Sequence, residues 1–128
     1  MGGVLLAAWL SVAQAQSVCP SRSDALTALE NAVATVDFES VDQRLEDVTA
    51  SFACGKGVQP DELARLWVAE GAFLHMDGDV PAAEESFQAA RRVAPDTWTE
   101  VFGSKLRTVW EDAPEATERG TIAVDPKP

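Results

Sequence analysis

An all-α domain built of helical hairpins is expected from three features of this chain. Its central stretch is rich in Ala, Leu, Glu and Gln, which favour helix, and it lacks the alternating β-branched runs that make strands. Apolar residues recur at intervals of three and four through five successive segments. Residues that start and stop helices separate those segments. At 128 residues there is room for one small domain.

The first segment has a different character. Residues 1–15 carry no charged side chain, and an apolar run from Val4 to Ala13 leads into Ala13-Gln14-Ala15, a small-x-small cleavage signature before Gln16. This is read as a secretory signal peptide, its apolar run too short to span a bilayer. No stable membrane insertion is expected after cleavage. The helical domain is then assigned to residues 16–112 and a flexible tail to 113–128. Within the tail, Thr121-Ile122-Ala123-Val124 has strand character, but four residues make no sheet alone.

Ser21 or Ser23 is expected to cap the first helix, with Leu26, Leu29, Val33 and Val36 on one side of it. Ser40 and Gln43 have the spacing of a capping box, and the helix they open carries Val41, Leu45, Val48 and Phe52. Gly55-Lys56-Gly57 ends it. Cys19 precedes the first helix and Cys54 follows the second, so an antiparallel pair brings both to the same end. In an exported chain that placement predicts a structural disulfide, the competing reading being a reduced pair of buried apolar residues. A redox or zinc role is not expected, because the pair is not C-x-x-C and His75 is the sole histidine.

Pro60, Asp61 and Glu62 suit the first turn of the next helix, which runs to about Met76 and carries apolar residues on more than one face. Asp77-Gly78-Asp79 supplies a turn, with Asp79 as N-cap of a helix beginning near Pro81. Trp67 is followed by Gly71, and after the turn come Ala83, Phe87 and Ala90, with Pro95 closing the unit. Gly71 lets the second helix come close, Ala83 offers a matching small surface, and Trp67 and Phe87 fill the space beside them.

This order and spacing over residues 64–97 resembles one tetratricopeptide (TPR) repeat. Glu70 stands where the family usually has leucine, and Leu74 where it has an aromatic. The resemblance implies hairpins stacked in the TPR manner, closed by a C-terminal capping helix. Residues 97–112, with Trp98, Val101, Phe102, Leu106, Val109 and Trp110 in a broad stripe, are expected to supply that cap. It also implies a job, the non-catalytic binding or scaffolding of a protein or peptide. In the family the matching face of the repeat's first helix lines a concave peptide groove; here that face carries Arg65, Val68, Ala72 and His75. Family members that clamp a terminal carboxylate use lysines and asparagines there, and Arg65 alone does not reproduce the clamp.

Composition narrows the function classes further. A net charge of −11 repels phosphate backbones and anionic membranes and favours a basic protein partner. The chain has no tyrosine and no G-x-S-x-G, H-E-x-x-H or phosphate-binding glycine loop. His75 lacks the partners a catalytic centre needs, so no enzymatic activity, cofactor or metal is expected. The signal and the resemblance together imply a periplasmic or extracellular setting, of bacterial type. The alternative is a structural subunit or spacer preceding a separate C-terminal module.

Overall fold

A computed structural model describes residues 19–113. The segment read as a signal peptide, 1–15, and the tail from 114 on, with its strand-like run at 121–124, lie outside the described residues. The class is all-α. In order come α1 (Arg22–Ala34), α2 (Phe38–Ala53), α3 (Pro60–Met76), α4 (Val80–Val93), a 3-10 turn η1 (Glu100–Phe102) and α5 (Gly103–Asp112). α1 pairs with α2, and α3 with α4 in the most extensive contact of the fold; α1 then packs on α3. The C-terminal segment returns across the body, η1 meeting α1 and α5 meeting α4.

Each boundary has a local cause. Ser21 accepts from the Asp24 N–H and opens α1. Pro60 occupies the first turn of α3, while Glu62 Oε1 accepts from the Gln59 N–H at 2.9 Å. Asp79 caps α4 through the Ala82 N–H. Two boundaries differ from the sequence reading. α2 begins at Phe38 rather than beyond Ser40, whose hydroxyl instead donates to Asp37 Oδ2 at 2.8 Å. The capping helix expected over 97–112 is broken: residues 97–99 are not helical, η1 follows, and Gly103 (φ +88°) redirects the chain into α5. Ala113, assigned to the tail, is buried.

The two hairpins turn alike. At the end of α3 the Gly78 N–H donates to His75 O and the Asp79 N–H to Leu74 O; at the end of α1 the Val36 N–H donates to Val33 O and the Asp37 N–H to Ala32 O. Both are the double hydrogen-bonded turn that closes a helix through a left-handed residue. One uses Gly78 at φ +93° and the other Val36 at φ +59°. Carried back along the helices, this alignment puts Leu29 at the position in the first hairpin that Gly71 holds in the second.

The core runs from Leu26, Leu29 and Val33 through Val41 and Val48 to Val68, Ala72 and Phe87, with Phe102, Leu106 and Trp110 closing it. At the tight crossing, a methyl on Gly71 would lie 2.6 Å from the Phe87 ring. The glycine therefore makes room for that fully buried ring, with Ala83 and Ala90 buried in the same helix. Gly71→Ala is expected to cost about 2 kcal/mol through overpacking, read as a lower urea midpoint at unchanged m-value. Phe87→Leu in the same chain should recover part of the loss relative to either change alone.

Candidate functional site

The two ends of the helical body are built differently. At one end Cys19 and Cys54 form a disulfide, their Cα atoms 5.7 Å apart. Beside it, the Arg22 guanidinium donates to the carbonyl oxygens of Ser51, Phe52, Cys54, Lys56 and Gly57 and pairs with Glu62 at 3.2 Å. The Ser51 and Phe52 carbonyls belong to the last turn of α2, where helix carbonyls lack intrahelical partners, and the others to the loop after it, so one side chain ties α1, the end of α2 and the start of α3. Arg91 plays the same part for α5, donating to Trp110 O, Glu111 O and Ala113 O and lying over the Trp110 ring.

Between the ends sits a third arginine. Arg65 Nη2 lies 2.7 Å from Glu30 Oε1, and its Nε donates to Oε2 at 3.0 Å, a two-pronged pair. Thr99 Oγ1 donates to the same carboxylate at 2.9 Å. Glu30 is 4% exposed. Its hydrogen bond, opposed by burial, holds the Arg65 guanidinium above its ordinary pKa. α1, α3 and the returning chain thus meet on one buried carboxylate.

That closure corrects the groove expected at Arg65, Val68, Ala72 and His75. Val68 and Ala72 are fully buried and Arg65 is spent on Glu30: α1 packs on α3, and the returning chain is tied to α1 through Thr99. His75 lines a surface depression. Among the repeat positions, Ala83, Phe87 and Ala90 are fully buried, Gly71 is buried, Trp67 is half-buried against the core and Pro95 is exposed. No group of three or more metal-ligating side chains occurs among the described residues. No described helix is long and apolar enough to cross a membrane.

At the end opposite the disulfide, a cleft of about 480 Å³ opens between the α1–α2 turn, the last turn of α3, and η1–α5. Val36, Phe38, Met76, Phe102 and Leu106 give it apolar walls, and His75 and Lys105 are its polar members. Phe38 is fixed by an edge-on contact with Phe73, their ring centres 4.9 Å apart. Val36 is 60%, Met76 37% and Val101 46% exposed. Its size is that of ligand-binding clefts in general.

The chain matches no protein-family model, no curated protein and no solved structure. Its function must be read from its own geometry.

Two features here were not found from sequence. The sequence reading gave Glu30 no part, yet a carboxylate between Leu29 and Val33 on a buried face demands a cation, and that demand was the available signal. Val36 was counted as a core residue of the first helix; nothing in its spacing announces a left-handed turn. Glu70, half-buried where the resemblance expects leucine, has its carboxyl raised above the ordinary value by burial. Across the window between its unfolded and folded values the native chain keeps a proton that the unfolded chain has released, so stability falls as pH rises. Glu70→Gln is expected to remove that contribution. Urea stability against pH should show the variant gaining on the wild type as pH climbs through the carboxylate range.

Proposed function

We propose that the chain is a non-catalytic, exported protein-binding module of two TPR-like hairpins, and that it receives its partner at the cleft beside the α1–α2 turn. One observation carries this reading. Val36 occupies a left-handed position at a cost of about 1–2 kcal/mol for a residue with a Cβ, whereas the equivalent turn of the second hairpin uses Gly78. A β-branched side chain placed there, 60% exposed on the rim of an apolar cleft, does little for the core. Strain kept at an exposed apolar residue is a mark of a contact surface. The disulfide supports export, since such bridges persist in oxidising compartments.

Stability and binding are then expected to move in opposite directions. Val36→Gly should raise stability by about 0.5–1 kcal/mol, the relieved strain less the flexibility glycine adds to the unfolded chain. The same variant, and Met76→Glu beside it, should lose the partner that the wild type retains from an envelope fraction. Equal retention by all three would exclude this cleft as the surface, and a less stable Val36→Gly would remove the premise.

A further inference from the structure

We infer that the occupant of this cleft is an apolar segment of a partner protein carrying a carboxylate that sits against Lys105 and His75; the inference rests on reading the cleft as a docking surface. The argument is one of charge. In a chain of net charge −11, a concave surface whose ionisable lining is Lys105 and His75, with no acid among its described lining residues, runs against the background. Exposed acids flank it in sequence, Asp77 after Met76 and Glu39 after Phe38, and neither lines the cleft. Asp37 accepts from Ser40 and lines a separate depression with Thr35 and Arg44, and Asp79 accepts from the Ala82 N–H. A cationic spot in apolar walls selects one anionic group on an otherwise apolar surface and fixes its register. The acidic remainder of the molecule disfavours a partner that is acidic throughout.

A protein segment fits better than a small amphiphile. Val36 and Met76, both in the cleft wall, stand exposed as well, so apolar surface continues out of the cleft. A molecule held inside would leave that rim wet, while a chain segment crossing the opening covers it.

The probes are two peptides on the full chain, acetyl-Leu-Phe-Glu-Leu-Phe-amide and the same peptide with Gln for Glu, with decanoate as a third arm. Binding is read from NMR shifts of the Met76 methyl and the His75 ring. The Glu peptide should bind about five-fold tighter than the Gln peptide, as one half-exposed charge pair provides. That preference should shrink in raised salt and vanish in Lys105→Gln. Equal affinity for the two peptides would overturn the carboxylate and leave the docking surface standing. Shifts with decanoate alone would overturn the protein segment as occupant. No shift with any probe would overturn the docking surface itself.

Discussion

Arg65→Met is expected to cost about 3 kcal/mol, a large part of the total stability of a domain this size. The loss comes less from the attraction removed than from what stays behind, a carboxylate 4% exposed with Thr99 as its remaining hydrogen-bond donor among the pairs described here. Arg65 itself is partly exposed, with 24% of its side chain reachable by water. Some hydration of the vacated space will therefore soften the effect, and the figure sits at the lower edge of what breaking a fully buried pair costs. Replacing both partners, Glu30→Leu with Arg65→Met, should restore most of the loss, since apolar groups of similar volume need no counter-charge. Urea unfolding of wild type, both single variants and the double variant closes the cycle. Additive single losses would show that the two side chains do not depend on each other.

Loss of the disulfide is the second large effect. Cys19 and Cys54 lie 35 residues apart, and on the chain-entropy estimate closing such a loop is worth about 3 to 4 kcal/mol. The doubly substituted Cys19→Ser, Cys54→Ser chain should unfold at a correspondingly lower temperature and urea concentration. Its helical content should stay close to that of the wild type, because Arg22 still holds the carbonyls at the end of α2 from α1. Adding Arg22→Ala should then do more damage than Arg22→Ala does in the bridged protein. An unchanged melting temperature for the serine variant would mean that Arg22 alone fixes this end.

What could be read from the sequence was local. The helices, the Asp77–Asp79 turn, the cap at Ser21 and the bridging of Cys19 to Cys54 each depend on residues near one another or on the simple fact that antiparallel helices share an end. What could not be read was the return of the chain. The groove at Arg65, Val68, Ala72 and His75 was carried over from the TPR resemblance of one hairpin. Whether its face stays open depends on how α1 packs on α3 and where the later chain returns, and that return is tied to α1 by a hydrogen bond from Thr99 to Glu30, 69 residues away. The close packing at Gly71 was legible as a need for space, but the occupant of that space is the Phe87 ring. Helical periodicity says which side of a helix is apolar, and it says nothing about which later segment will cover it.

The central claim, that α3 has been closed over by its own chain and recognition moved to the end of the body, is tested most directly by thiol alkylation. Ala72→Cys places a small thiol at a fully buried position of the former groove, and Met76→Cys places one on the exposed rim, with the native disulfide intact in both. In native buffer Met76→Cys should react with iodoacetamide at nearly the rate of a free peptide, while Ala72→Cys should react only as fast as the protein unfolds and accelerate with urea. Equally rapid labelling at both positions would show an open groove and contradict the account.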